Sequence, residues 1–326
     1  MSEPVRWGFL STALINAAVI SAVRESSQVE LVAVASRDGD RAREYATEWD
    51  FARGYGSYDE LLADRDVEAI YNPLPNSMHV DWSMRALEAG KHVLCEKPLS
   101  RRVADVERAF DIADGAGLVL SEAFMFRHHP QARRLEDLVA GGTIGTLQTV
   151  RAAFCFWMDE PENIRFRQEL EGGALMDVGC YCINSSRLVA GEEPQRVYGE
   201  QAIGFTGVDV RFDATLRFAS GVVAQFHCGM VEPFRDELEV IGDEASLFLD
   251  DPWHCREPVI EVRRPDEPAE RIEIERVSHY RLEFENVSAA IRGEGELLLG
   301  NDDAVGQARV IEALYRSADW GTAVEL

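Results

Sequence analysis

At 326 residues, 46% apolar and 28% charged, the chain has the composition of one large or two ordinary globular domains and not of a disordered segment. Acidic residues number 58 against 33 basic ones, a formal charge of −25 that repels nucleic acid and anionic lipid, so neither is an expected partner. No apolar run nears the roughly 20 residues that span a bilayer, and Met1-Ser2-Glu3-Pro4 has no basic start leading into an apolar stretch, so the expected location is the cytoplasm.

Strand and helix signals alternate over the first 122 residues. Residues 5–10 form an apolar run, and 14–24 continue at helical spacing. A second apolar run, 30–35, precedes a polar helix pattern at 40–49 and a shorter helical piece at 58–63. A third strand, 68–72, is followed by a helix at 79–89 closed by Gly90, a common C-terminal stop. Strands at 92–95 and 118–121 flank a helix at 103–113. This alternation with short loops predicts a doubly wound parallel sheet of the Rossmann type over residues 1–122. After residue 123 a helix at 130–140 gives way to strands at 147–156, 196–203, 209–218, 222–230, 237–241 and 246–250. Several of these alternate inward and outward positions, and Ala219-Ser220-Gly221 reads as a hairpin connection. Helices return at 280–291 and 302–318. The expected fold class is therefore α/β, an N-terminal Rossmann sheet plus a C-terminal α+β domain (123–326) with a large, mainly antiparallel open sheet.

Lys91 and Lys97 are the two lysines, and arginine carries the remaining positive charge. An acidic, lysine-poor surface suits a high-salt cytoplasm, where screening relieves self-repulsion; a GC-rich genome produces the same bias, and composition does not separate the two. The six cysteines, Cys95, Cys155, Cys180, Cys182, Cys228 and Cys255, lie mostly in apolar stretches without paired C-x-x-C spacing. They read as free buried thiols, and no metal site is expected.

The loop Gly8-Phe9-Leu10-Ser11-Thr12-Ala13 follows the first strand. Small residues there let a backbone approach a pyrophosphate lying at the next helix N-terminus, although Ser11 and Ala13 stand where glycines are usual. At the end of the second strand, an acidic residue would accept hydrogen bonds from the adenosine ribose of NAD. This chain has Ser36-Arg37 there, with Arg41 one turn on, and guanidinium groups pair with a 2′-phosphate. NADP is the expected cofactor, with NAD possible; the neighbouring Asp38 counts slightly against it.

Two segments carry the chemistry. In 90–98 a strand runs into Glu96-Lys97-Pro98 at its carboxyl end, where open α/β sheets place ligands. The Lys97 ammonium is suited to polarise a reacting oxygen and to lower a neighbour's pKa. In 172–181, Asp177 and Tyr181 stand four apart, on one face if helical, and a tyrosine can exchange the proton of an alcohol-carbonyl interconversion.

Taken in order, the strand-Gly-x-x-Ser-Thr-Ala loop, Tyr71-Asn72-Pro73-Leu74-Pro75-Asn76-Ser77-Met78-His79, Glu96-Lys97-Pro98, the 122–130 stretch and Gly-Gly-Ala-Leu-x-Asp-x-Gly-x-Tyr resemble the Gfo/Idh/MocA oxidoreductase family. The likeness covers essentially the whole chain. It leans toward the branch with dihydrodiol dehydrogenase, NADP-dependent D-xylose dehydrogenase and glucose-fructose oxidoreductase, which has tyrosine where inositol dehydrogenase-like members have histidine. Cys182, where proline is frequent, and Ala245, where glycine is common, depart from the pattern without removing a catalytic group.

The resemblance implies Lys97 and Tyr181 as catalytic residues, with Asp177 orienting the substrate. It implies Gly8, Ser11, Thr12 and Ala13 at the pyrophosphate, Ser36, Arg37 and Arg41 at the adenosine ribose, and Leu74, Pro75, Asn76, His79, Glu96 and Lys97 at the nicotinamide half. Arg127, His129, Arg165, Phe166, Asp177 and Tyr181 would line the substrate site. The implied activity is hydride transfer between NADP and C1 of an aldose such as D-xylose, or a related cyclic polyol. 1,5-Anhydrofructose reduction, trans-dihydrodiol oxidation and a non-catalytic NADP-binding sensor akin to a corepressor are the alternatives. The family also implies a homodimer or homotetramer through the C-terminal sheet.

Overall fold

The computed structural model describes residues 3–326; Met1 and Ser2, which belong to the start read above, lie outside the described residues. In chain order it contains β1 (Val5–Leu10), α1 (Asn16–Val23), β2 (Val29–Ala35), α2 (Gly39–Glu48), β3 (Arg53–Tyr55), α3 (Tyr58–Leu62), β4 (Ala69–Asn72), α4 (His79–Glu88), β5 (His92–Glu96), α5 (Val103–Ala116) and β6 (Leu120–Ala123). There follow α6 (Pro130–Ala140), β7 (Leu147–Trp157), α7 (Cys180–Ala190), β8 (Pro194–Ile203), β9 (Asp209–Phe218), β10 (Val223–Gly229), β11 (Val231–Gly242), β12 (Ser246–Leu249), β13 (Val259–Arg263), β14 (Glu270–Glu273), α8 (His279–Arg292), α9 (Asn301–Trp320) and β15 (Val324–Glu325). Two compact units emerge: the chain up to His128 with Ser278–Val305, and His129–Val277 with Gly306–Leu326.

In the first unit six parallel strands pair in the order β3-β2-β1-β4-β5-β6, the doubly wound arrangement of dinucleotide-binding sheets. Its central strands are buried almost without a break, as a sheet covered on both faces requires. The sixth strand, β3, escapes the sequence reading because Arg-Gly-Tyr is too short to show a period. Gly54 within it has no room for a side chain, since a Cβ would lie 2.4 Å from the Ala42 carbonyl oxygen of α2.

A single cut at residues 122/123 does not describe this unit, because α8, far along the chain, belongs to it. The reason is packing. Phe284 and Val287 of α8 are fully buried in the core formed by Trp7, Phe9 and Tyr71. The Phe284 ring lies 4.6 Å from Trp7 and 5.3 Å from Tyr71. Arg292 closes the helix by donating to both carboxylate oxygens of Glu68, each at 2.9 Å. A sequence pattern shows that 280–291 has an apolar face but not which sheet that face covers.

The second unit holds a nine-stranded sheet in the order β14-β13-β12-β11-β7-β10-β9-β8-β15. It is antiparallel except for the β10-β7 pair. The short strands β13, β14 and β15 extend its two edges beyond the sequence reading. Ala224, Phe226 and Cys228 of β10 turn inward and are buried, with α7 packed on that side. Alternate residues, among them Arg151, Asp213, Gln225 and His227, form a polar open face. The apolar side of the strand is thus covered within the chain. All six cysteines are free and buried, and among the described residues no helix is long and apolar enough to cross a membrane.

Candidate active site

The strand order turns at β1 and β4, whose carboxyl ends border the crevice where open α/β sheets bind nucleotides. Gly8 on β1 packs so tightly that a Cβ would fall 2.9 Å from Leu61 Cδ2. Ser11 has φ 131°, a conformation that favours glycine, and Asn16 of α1 holds it by donating to the Ser11 carbonyl at 2.8 Å. Ser11 thus holds a glycine-favoured turn without being glycine. Thr12 and Ala13 are half-buried between the strand and α1.

At the end of β2, Ser36 is buried and its hydroxyl accepts from the Asp38 amide. Asp38 is the N-cap of α2, its carboxylate accepting from the amides of Asp40 at 2.9 Å and Arg41 at 3.2 Å. Its side chain is committed to the helix. Arg37 and Arg41 are exposed, and both lie near enough to Tyr58 to pull its phenol pKa down against the larger upward push of burial. A loop that places two cations where NAD would need an acceptor fits a phosphorylated ribose.

The loops after β4 and β5 are tied together by His79, the first residue of α4. Its buried ring meets Leu74 O through Nε2 at 2.7 Å and Pro98 O through Nδ1 at 2.9 Å. Burial pushes its pKa down to about 4, outweighing the upward pull of the two carbonyls. His79 therefore positions the loops bearing Leu74 and Lys97. Leu74 is buried, and Pro75 and Asn76 are half-buried at a short 3-10 turn. Half-buried Lys97 leaves the end of β5, and its amide meets Glu96 Oε2 at 3.3 Å. Tyr71 donates its hydroxyl to Glu96 Oε1 at 2.6 Å. Tyr71, Tyr280 and Glu283 were not assigned to the site from the sequence; Tyr71 and Glu283 are buried and Tyr280 half-buried near Glu96, whose charge adds to burial in raising all three pKa values. An apolar helix face bearing one glutamate was the only available signal for Glu283.

In the second unit, residues 175–179 form a π turn that leads directly into α7. Its entry needs both glycines. A Cβ on Gly172 would sit 2.3 Å from the Arg165 carbonyl oxygen, and one on Gly173 2.1 Å from Asp209 Oδ1. Asp209 accepts from the Leu175 amide at 2.7 Å and from the Tyr315 hydroxyl at 2.9 Å. This scaffold brings three of the expected residues together. Arg165 Nε donates to Asp177 Oδ2 at 2.7 Å, and Asp177 foremost, with Tyr181 contributing, raises the guanidinium pKa. Tyr181 is buried, its ring 5.6 Å from Phe154 and 6.2 Å from Trp253. Trp253 donates to Ser185 Oγ, one turn along α7, at 2.7 Å. Neither aromatic was singled out in the sequence.

Phe166 is buried beside Arg165. Arg127 instead pairs with Asp303 at 3.2 Å within the first unit. His129 is fully buried and caps α6, its Nδ1 accepting from the Gln131 amide at 3.1 Å.

Comparison with known proteins gives two family matches. Residues 5–124 match the oxidoreductase family NAD-binding Rossmann fold, and residues 132–248 match the Gfo/Idh/MocA C-terminal domain. The chain is 39% identical to an uncharacterised oxidoreductase, ORF334, of Rhizobium meliloti, covering 97% of this chain and 98% of the relative. It is 35% identical to D-xylose 1-dehydrogenase (NADP(+)) 2 of Haloferax volcanii, covering 98% and 99%. Among solved structures, the 3-ketoreductase KijD10 of Actinomadura kijaniata, in complex with NADP and TDP-benzene, superposes with a TM-score of 0.91 at 31% identity, covering 96% and 98%.

Proposed function

This chain belongs to the Gfo/Idh/MocA oxidoreductase family, and we propose that it is an NADP-dependent dehydrogenase that moves hydride between nicotinamide and C1 of an aldose such as D-xylose, or a related cyclic polyol. The observation that carries the reading is the placement of Lys97 at the carboxyl end of β5, next to the strand where the sheet order turns. The relation to an NADP-linked D-xylose dehydrogenase along nearly the full length of both chains supports the substrate class.

Gly8, Ser11, Thr12 and Ala13 would hold the pyrophosphate, and Ser36, Arg37 and Arg41 the ribose with its phosphate. Leu74, Pro75, Asn76 and Glu96 would border the nicotinamide, which when bound supplies hydride acceptor and donor chemistry. Tyr181 Oη takes the proton of the C1 hydroxyl as the C1–H electron pair departs as hydride, and the aldose leaves as its lactone. Lys97 stabilises the oxyanion that develops on the C1 oxygen. The Arg165 guanidinium lies within electrostatic reach of Tyr181, and Asp177 holds that guanidinium in place. In reduction the same proton runs the other way. Self-association through the open face of the nine-stranded sheet belongs to this reading, since Trp157, Tyr198 and Phe234 are exposed on its strands.

Removing a well-placed acid-base group costs roughly 10²–10⁴ in rate. Tyr181→Phe and Lys97→Met should each lose at least that in turnover of D-xylose with NADP while still binding NADPH. Activity largely kept in both variants would refute the assignment. Similarity to a 3-ketoreductase studied with TDP-benzene favours a second reading, reduction of a keto group on a nucleotide-linked sugar. A panel of aldoses, dihydrodiols, anhydroketoses and TDP-linked ketosugars, at low and molar salt, separates the two. NADP binding without turnover of any of them would identify a sensor.

A further inference from the structure

Three strands of the nine-stranded sheet bring unlike donors to one point on its open face. Phe154 turns inward toward Tyr181, so the next residue of β7, Cys155, turns to the opposite side. His227 of β10 stands directly across from Asp213 of β9 and two residues before Gly229, on the same face, and Gly229 is paired with Cys155. Glu232 lies where the β11-β7 register slips between Val231 and Arg235, a bulge that re-aims its side chain over Gly229. A Cβ on Gly229 would approach Glu232 Oε2 to 3.2 Å, so the glycine leaves the carboxylate its place.

We propose that Cys155, His227 and Glu232 form a binding site for a transition-metal dication of the zinc type. Their donor atoms all lie within 4.8 Å of one another. A tetrahedral ion with bonds of about 2.0–2.3 Å would hold such donors roughly 3.3–3.8 Å apart, so the cluster needs small side-chain shifts and no backbone change. His227 Nε2 now faces Glu232 Oε2 at 2.5 Å, and this pair would open to admit the ion.

Thiolate, imidazole and carboxylate is a donor set that suits zinc and excludes magnesium or calcium as the natural occupant. The outer shell is also in place. Asp213 Oδ1 accepts from His227 Nδ1 at 2.8 Å, the carboxylate-histidine arrangement that fixes the ring tautomer and turns Nε2 toward a metal. A cation also stands beside the carboxylates: Arg211 lies 3.7 Å from Glu232 and 3.8 Å from Asp213 and offsets the second negative charge. In the single chain His227 and Glu232 are both partly exposed, which leaves room for a water as the fourth ligand. None of these residues belongs to the proposed hydride-transfer machinery.

The protein, stripped with a chelator, should bind Zn²⁺ at one ion per chain in competition with a chromophoric chelator. Co²⁺ in its place should show a thiolate-to-metal band in the near ultraviolet. Cys155→Ser should remove that band, and His227→Gln, at a less buried position, should remove binding if the serine variant fails to fold. Asp213→Asn keeps all three ligands and should weaken Zn²⁺ affinity roughly 10–100-fold. A stoichiometry far below one, a cobalt spectrum without the thiolate band, or unchanged affinity in the ligand variants would overturn the site.

Discussion

Lowering the pH from 7 to 4 should destabilise the folded protein through His79, and the size of the loss follows from where the ring sits. In the unfolded chain its imidazole takes up a proton as the pH falls through its ordinary 6.5, whereas burial delays that proton in the folded protein until about 4. Between those values the unfolded state binds one more proton. The folded state therefore loses about 1.36 kcal/mol per pH unit, which reaches ~3 kcal/mol at pH 4. Against a total stability on the order of 5–15 kcal/mol this is a large share.

The assay is urea unfolding of wild type and His79→Gln at intervals from pH 7.5 to 4. Glutamine does not titrate and can donate to one of the two carbonyls. The stability difference between the proteins should hold above pH 6.5 and shrink by ~3 kcal/mol by pH 4. His128, pushed down to about 3 by burial, adds an acid slope of the same sign to both proteins and cancels in the comparison. Because His79 joins the Leu74 loop to the residue after Lys97 and stays neutral in the folded protein until about pH 4, NADPH binding by folded wild type should hold over this window and weaken only as the pH nears 4. Parallel stability curves between pH 6.5 and 4 would show that the His79 ring is already protonated when folded, and the reasoning from burial would fail.

Arg37→Ala should weaken NADP(H) binding far more than NAD(H) binding, by roughly the 1.5–3 kcal/mol of a hydrogen bond to a charged group; equal weakening in fluorescence titrations would assign Arg37 a general electrostatic role. Ser11→Gly should relieve the φ 131° conformation and raise the unfolding free energy by on the order of 1 kcal/mol, read as a higher urea midpoint, while preserving cofactor binding. A lower midpoint would mean that the serine side chain contributes more than its strain costs.

The doubly wound half was legible because its strands are bounded by glycine stops and helices of clear period. What remained hidden depended on distance along the chain. Ser288, which accepts from Trp7 Nε1 at 3.3 Å, stands 281 positions away, and the periodicity of α8 does not reveal which apolar surface it will meet. The edge strands β13, β14 and β15 escaped for a different reason. They are short and rich in charge, and their strand state comes from pairing with a neighbour already in place.

At the site, residue identity was readable and geometry was not. Asp38 looked like a mark against NADP, yet as the N-cap of α2 it spends both hydrogen bonds on its own helix. Four-residue spacing placed Asp177 and Tyr181 on a shared face only if the segment were an α-helix. The π turn across 175–179 winds wider than an α-helix, so a four-residue spacing there does not stack two side chains on one face. Asp177 consequently engages Arg165, while Tyr181 rests against Phe154 and Trp253. A turn of this kind survives only where its surroundings hold it, and Asp209, reaching the Leu175 amide from β9, is the hold. The turn that leads into Tyr181 is thus tied to a carboxylate 28 positions beyond the tyrosine, outside the reach of any local pattern.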